Sequence, residues 1–297
     1  MNMIKTLLRS MRIPFLILTP VSIFLGLATS VAASEQVSYF DFLLVLVGAV
    51  FAHISVNTFN EYHDFRSGLD AKTTKTPFSG GSGALIENPQ AIEAVFYVAI
   101  TSLISTIIIG IYFTFRLGVL IFPLGAIGIL IIITYTKWLN RSPFLCLVAP
   151  GIGFGPLMVI GTHVILTGGY STQVIWISLV PFLMASNLLL LNQYPDIVAD
   201  KSIGRRHFPI VYGVNKSTLL YGSFVLVASG VIVIGIYTGL LPKLSVIGLI
   251  PMGVSAVVFV GAIKYAQSLQ KFIPYLGMNV AATVLAPVLL GFSIILG

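Results

Sequence analysis

Nine runs of predominantly apolar residues organise this chain, each about the 20 residues needed to cross the hydrocarbon core of a bilayer as a helix. They lie at roughly 14–34, 40–63, 91–115, 117–136, 146–167, 173–197, 217–239, 241–265 and 273–296. Composition favours membrane spans over buried soluble helices: 57% of residues are hydrophobic and 8% charged, whereas a soluble domain carries roughly 25% charged residues. A cytosolic enzyme or a disordered protein is thereby excluded. So is a nucleic-acid binder, because the sixteen Lys and Arg residues are spread along apolar sequence and form no basic patch. No long alternation of polar and apolar residues supports a β-barrel. Cys146 is the only cysteine, so neither an intrachain disulfide nor a cysteine-based metal cluster can form. The expectation is an all-α polytopic membrane protein: one domain over 1–297, with nine transmembrane helices in two similar four-helix halves plus one.

The first run follows Lys5, Arg9 and Arg12 and ends in Val31-Ala32-Ala33-Ser34, a signal-peptide-like arrangement. Its length exceeds the usual 7–15 residues of a signal core, so it reads as a retained first helix. Lys and Arg accumulate on the cytoplasmic side of membrane proteins. With the N-terminus inside, fourteen of the sixteen fall in cytoplasmic segments, leaving Arg116 and Lys243 outside. That partition predicts a cytoplasmic N-terminus.

The nine acidic residues are distributed unevenly. Glu35 and Asp41 fall in the first outer loop, and Glu87 and Glu93 near the start of the third helix. The other five form two clusters at the cytoplasmic ends of helices 2 and 6. Asn57 through Asp70 contains Asn60, Glu61, Asp64 and Asp70, and Asn192 through Lys201 contains Asp196 and Asp200. Asn60 and Asp64 are four apart and share one helical face; Asn192, Asp196 and Asp200 repeat the step. Pro195 is expected to kink helix 6. Gly68 and Ser79-Gly80-Gly81-Ser82-Gly83 form a loop whose N–H groups suit an anion.

Facing carboxylates at a membrane boundary repel each other and are costly to desolvate. A divalent cation relieves both problems, and Mg²⁺ takes oxygen ligands shared between carboxylates and substrate phosphates. With Arg66, Lys72, Lys75, Lys137, Arg141, Lys201, Arg205 and Arg206 nearby, the clusters suit a metal-bound diphosphate. Four scattered histidines without cysteine partners give no structural zinc spacing, and His53, mid-helix, reads as a packed residue. An ion-coupled transporter is the alternative of a different class, but its acids are expected near the bilayer midplane.

The motifs Asn60-Glu61-Tyr62-His63-Asp64 with Gly68-Leu69-Asp70, and Asn192 through Asp200 continuing to Gly204-Arg205-Arg206-His207, resemble those of the UbiA superfamily of intramembrane prenyltransferases. Glu61 stands where Asp is more usual. Tyr135-Thr136, Phe154-Gly155-Pro156 and Gly161-Thr162 also look like family blocks. The Gly68-Leu69-Asp70 spacing and the Gly-Gly-Ser-Gly-Ala-Leu stretch look most like the 1,4-dihydroxy-2-naphthoate branch, of menaquinone biosynthesis. Lys75-Thr76-Pro77 and Arg206-His207-Phe208 are similar to other branches, so 4-hydroxybenzoate or a lipid alcohol stays open as acceptor. The resemblance implies nine transmembrane helices, an isoprenyl diphosphate donor, an aromatic acceptor and Mg²⁺. It implies that Asn60, Asp64, Asp196 and Asp200 hold metal, supported by Asn192, and that Asp64, Asp70, Asp196 and Asp200 are catalytic, Asp70 toward the acceptor. The implied substrate-binding set is Arg12, Asn57, Arg66, Lys72, Lys75, Tyr135, Lys137, Phe154, Asn192, Lys201 and Arg205. Tyr135 and Phe154 would line the carbocation pocket, and the basic residues would neutralise diphosphate.

Overall fold

The computed structural model describes residues 2–33 and 36–297. Ser34, which closes the signal-like stretch, and Glu35 of the expected outer loop lie outside the described residues. Every regular element among the described residues is helical. Among the described residues, eight stretches are long and apolar enough to cross a membrane: Ile13–Ala33, Tyr39–Arg66, Pro89–Leu120, Pro143–Thr167, Thr172–Asn192, Phe208–Tyr237, Lys243–Tyr265 and Leu269–Leu296.

The chain opens with a short amphipathic helix, α1 (Met3–Ser10), and a 3₁₀ turn, Ile13–Ile17, that leads into α2 (Leu18–Ala33). Helix α3 (Tyr39–Arg66) is followed by the glycine-rich loop, the single turn α4 (Ala84–Glu87) and α5 (Ile92–Leu117). The next run, expected at 117–136, is shorter: a 3₁₀ turn, Gly118–Leu120, precedes α6 (Phe122–Thr134). Gly118 takes a positive φ of 58° at the end of α5, and Pro123 restarts the helix. The 13 residues of α6 rise about 20 Å, short of the roughly 30 Å hydrocarbon core. Asp41 is not in an open loop: it lies buried in the first turn of α3 and accepts from Arg116 at 2.5 Å.

The fifth run is α7 (Pro143–Ile152), a π-helical segment (Gly153–Ile160) and α8 (Gly161–Thr167). Pro150 and Pro156 each lack the N–H of a regular helical turn, the usual setting for such widening. Helix α9 (Thr172–Asn192) ends five residues earlier than the expected 173–197. Pro195 produces a break in place of the expected kink: the chain turns through Gln193–Asp196 and resumes as α10 (Ile197–Ser202), with Asp196 at its N-cap. Helix α11 (Phe208–Tyr237) begins before the expected 217, because a short segment joins it across a kink at Gly213. Helices α12 (Leu249–Tyr265) and α13 (Leu269–Leu296) complete the bundle.

The main apolar core runs through these helices, centred on side chains such as Leu25, Val159, Met184, Tyr221 and Leu290, and a smaller cluster of Tyr62, Leu85, Ala91 and Val95 lies beside the end of α3. Hydrogen bonds add direction that dispersion lacks. Asn187 Nδ2 donates to the Tyr221 carbonyl at 3.1 Å, the Tyr221 hydroxyl to Asn279 Oδ1 at 2.9 Å, and Asn279 Nδ2 to the Asn187 carbonyl at 3.3 Å. This ring ties α9, α11 and α13 together. Across the other side of α9, Gly151 and Gly155 form a small-xxx-small face that permits close helix approach. A Cβ on Gly155 would meet Ser178 O at 2.6 Å and Phe182 N at 2.8 Å, both backbone atoms that cannot yield. Gly155→Val is therefore expected to cost roughly 1–3 kcal/mol, the usual scale of overpacking. A lower thermal midpoint in detergent would show it. Gly230→Ala, whose Cβ meets open space, is the control and should leave the midpoint unchanged or higher.

Candidate active site

A cavity of about 440 Å³ lies within the bundle. Its polar end is lined by Arg12, Asn57, Asn60, Asp64, Asp70, Asn192, Asp196, Asp200 and Arg205; Tyr135 and Phe154 also line it. Apolar side chains including Val45, Ile109, Phe113 and Leu124 line the remainder.

Helix α3 supplies one wall. Asn57, Asn60 and Asp64 are three and four residues apart and share a face. Asn57 Nδ2 donates to the Met11 carbonyl at 3.0 Å, and Arg12 Nη2 donates to Asn60 Oδ1 at 3.1 Å. Arg12 sits at φ 54°, a left-handed conformation between α1 and the 3₁₀ turn. Such a conformation is uncommon for a residue with a side chain, and here it accompanies a guanidinium on the cavity wall.

The opposite wall comes from the end of α9 and from α10. Asn192, Asp196 and Asp200 do not form one helical stripe, because the turn at Gln193–Asp196 interrupts it. The step from Asp196 to Asp200 is nonetheless helical, with Asp200 N–H donating to the Asp196 carbonyl at 2.8 Å. Arg205 joins the walls: Nη1 pairs with Asp200 at 2.8 Å and Nη2 pairs with Asp64. His207 Nε2 lies 2.9 Å from Asp200 Oδ2. One guanidinium thus spans carboxylates from two elements 136 positions apart, Asp64 and Asp200.

The glycine-rich loop folds over the same end. Gly80 N–H donates to Asp196 Oδ2 at 3.1 Å. Ser82 N–H donates to Glu61 Oε2 at 3.2 Å, and the Ser82 hydroxyl bonds Glu61 Oε1. Gly80 and Gly81 take positive φ of 82° and 71°, and a Cβ on Gly81 would meet Asp70 Oδ1 at 2.7 Å. A side chain would be strained and crowded there.

Charge balance at this end is unfavourable. Burial pushes the Asp70 carboxyl up to about 7, aided by the negative charges of Glu61 and Asp64. Burial also raises Asp196 to about 7, followed by repulsion from Asp200. For Arg205, burial opposes the charge, but Asp64 and Asp200 outweigh it and hold the group above its ordinary value. Three buried oxygens on the cavity wall lack a hydrogen-bond partner: Asp70 Oδ2, Asn192 Oδ1 and Asp196 Oδ1. Unsatisfied hard oxygens beside excess carboxylate are the donor set that Mg²⁺ uses. Among the described residues, no three acidic, His or Cys side chains converge on one point, Asp64 and Asp200 being engaged by Arg205.

The architecture is that of known proteins. The model of the UbiA prenyltransferase family matches residues 19–292. The chain belongs to that family. Among curated UbiA-type relatives, 1,4-dihydroxy-2-naphthoate octaprenyltransferase of Bacillus subtilis (strain 168) is 29% identical over 187 residues, 62% of this chain. The match spans 58% of the length of that relative. The Haemophilus influenzae enzyme of the same name is 25% identical over 205 residues, 67% of each chain. A solved UbiA homologue from Aeropyrum pernix K1 shares the fold with a TM-score of 0.71 at 17% identity, covering 95% of this chain and 97% of its own. A UbiA homologue from Archaeoglobus fulgidus, solved with DMAPP and Mg²⁺, has a TM-score of 0.61 at 12% identity, covering 98% and 99%. As in the family, the chain is an integral membrane protein.

Several residues expected to bind substrate lie elsewhere in this UbiA member. Arg66, Lys72, Lys75, Lys137 and Lys201 are exposed and do not line the cavity. Arg66 donates to the Tyr62 hydroxyl at 2.9 Å, and Lys72 Nζ lies 3.4 Å from Ser202 Oγ. Lys75 packs on Gly83, outside the cavity wall. Their long stems follow the surface, and a charge count along the sequence does not reveal direction. Conversely, the sequence motifs assign no site role to Glu61, His207 or His53. Glu61 follows Asn60 and so points about 100° away, toward the loop and not the cavity. For His207, the signal was its place directly after Arg205-Arg206, within reach of the acid motif.

Asp70 and Asp196 are raised from an ordinary 3.8 to about 7. The folded protein therefore keeps protons that the unfolded chain loses, and without a cation its stability falls as pH rises through about 4 to 7. A cation held by Asp196 must displace its proton. Mg²⁺ affinity is expected to be higher at pH 8 than at pH 6, with proton release at pH 6. Calorimetric titration in two buffers of different ionisation enthalpy measures both effects. Affinity that is independent of pH would contradict them.

Proposed function

We propose that this UbiA protein transfers an isoprenyl group from a prenyl diphosphate to 1,4-dihydroxy-2-naphthoate, in a Mg²⁺-dependent reaction on the cytoplasmic face of the membrane. The observation that carries this reading is the meeting of the two acid motifs across one cavity, close enough for Arg205 to pair with Asp64 and Asp200 together. The names of the Bacillus subtilis and Haemophilus influenzae relatives support the acceptor, and the ligands of the Archaeoglobus fulgidus homologue support the donor and the metal. The excess of Lys and Arg in the segments at the site end supports a cytoplasmic placement.

Asn60, Asp64, Asp196 and Asp200 would hold Mg²⁺, with Asn192 in support. Bound there, the metal supplies Lewis-acid stabilisation of diphosphate charge. Arg12 and Arg205, the two guanidiniums on the wall, bind diphosphate oxygens, and the apolar part of the cavity receives the isoprenyl chain. Tyr135 and Phe154 offer ring faces to the allylic cation, an interaction worth roughly 0.5–2 kcal/mol, and exclude water from it. As the C1–O bond breaks, its electron pair leaves with diphosphate. A ring carbon of the acceptor then forms the new C–C bond to C1, and loss of a proton, or of carbon dioxide from a naphthoate, restores aromaticity. Asp70, poised near neutrality, is placed to hold the proton.

Purified protein should form the prenylated product with Mg²⁺ and lose activity with EDTA, regaining it when Mg²⁺ is restored. Asp64→Asn and Asp196→Asn should each lower kcat at least about 100-fold, the scale of losing one preorganised electrostatic contact, with the helical circular dichroism unchanged. Mass spectrometry with 4-hydroxybenzoate and a lipid alcohol as competitors tests the acceptor. Full turnover without metal, or solute flux across sealed vesicles with no new carbon–carbon bond, would refute the reading.

A further inference from the structure

One polar side chain faces the cavity well away from the acid motifs. His53, Asn57, Asn60 and Asp64 follow one another on α3 at steps of four, three and four, and all line the cavity. Seven residues separate His53 from Asn60, an axial distance of about 10 Å. Around it the wall carries Ala49, Ala52 and Val56 from α3, and Phe154 and Met158 from the π segment. Two contacts fix the imidazole. Nδ1 is hydrogen-bonded to Thr19 Oγ1 at 2.8 Å, and the Phe154 ring meets it edge-on at 5.1 Å and 71°. The Thr19 bond determines which nitrogen is left over, and Nε2 has no hydrogen bond to any described residue.

A histidine inside a membrane span is costly unless both nitrogens find partners. Tethering α2 to α3 would need only the Nδ1 bond, which a smaller polar residue can make. The isoprenyl donor offers nothing to Nε2, because all its polar atoms lie in the diphosphate at the acid end. The remaining reactant is an aromatic ring bearing hydroxyl groups. Resting on the prenyl-transfer reading above, we propose that His53 Nε2 hydrogen-bonds a hydroxyl of the aromatic acceptor and so orients its ring against the donor C1. Thr19 acts through His53 as a positioning residue by holding Nδ1. No covalent change occurs at the imidazole.

The test uses the full chain in detergent with Mg²⁺, geranyl diphosphate and 1,4-dihydroxy-2-naphthoate. His53→Phe is expected to raise the acceptor KM about tenfold, the loss of one hydrogen bond, while the donor KM stays within about twofold. His53→Gln should recover part of the loss, and Thr19→Val should show a smaller rise of the same kind. With 1-hydroxy-2-naphthoate or 4-hydroxy-2-naphthoate, whichever lacks the contacted hydroxyl should show the same KM in the unaltered protein and in His53→Phe. Equal rises in donor and acceptor KM, or no rise for the acceptor, would overturn the assignment. Should His53→Phe fail to fold, Thr19→Val and the two monohydroxy acceptors decide the matter. Calorimetry of geranyl diphosphate on the unaltered protein separates the two levels of inference. No donor binding overturns the prenyl-transfer reading and this one with it, whereas intact donor binding with an unchanged acceptor KM overturns the His53 role alone.

Discussion

The Arg205 guanidinium between Asp64 and Asp200 is the contact on which the site depends. Four carboxylates line the polar end of the cavity, and of the two guanidiniums on that wall Arg205 alone pairs with any of them, Arg12 lying 3.7 Å from Glu61 instead. Buried like charges are tolerated only when paired, and one planar fork can serve two carboxylates at once. The pairing holds the segment that leads into α11, the end of α3 and α10 in one arrangement, extended by His207 on the far side of Asp200. Charge remains uncompensated, with the Asp70 and Asp196 carboxyls raised to about 7 and three buried oxygens of cavity-lining residues without partners. The protein is thus assembled around a deficit of positive charge, which a cationic ligand would correct.

The glycine-rich loop is the second consequence of that crowding. Glu61 does not contribute to the cavity wall; it turns to the loop and accepts from the Ser82 N–H and hydroxyl. Adjacent residues on α3 therefore divide the work, Asn60 toward the cavity and Glu61 toward the cover. The extra methylene of Glu over Asp lengthens its reach toward the loop. On the opposite wall, Gly80 N–H holds Asp196, so one loop is bonded to both acid motifs. Its glycines are set by backbone sign and by the approach of Asp70, which accounts for their concentration in this segment.

The helical class and the position of the acid motifs were legible because both depend on local sequence. Runs of twenty apolar residues have one stable solution in a bilayer, and four-residue steps fix which side chains share a face. What was illegible depends on tertiary direction. Pro195 announced an irregularity, but whether the helix kinked or broke depended on what surrounds Asp196. Lys72, Lys75, Lys137 and Lys201 carried the right charge in the right segments and still lie outside the cavity, since a long flexible stem does not inherit the periodicity of its backbone. Arg205 carries the same charge and does reach the cavity, held there by carboxylates from two distant elements.

The apolar part of the cavity owes its room to two departures from regular helix. Helix α6 is short and contributes Gly125 and Gly128 to the wall, positions without side-chain volume. The π segment widens the chain between α7 and α8 and carries Phe154 against His53. A regular helix with bulky residues at these places would pack the space closed, as the core around Met184 and Tyr221 is packed. The same irregularities would weaken a bundle held by dispersion alone. The hydrogen-bonded ring of Asn187, Tyr221 and Asn279 lies on the far side of α9 from that space. Directional bonding there ties the helices on that side while those around the cavity stay apart, so one cavity keeps an apolar part beside its charged end.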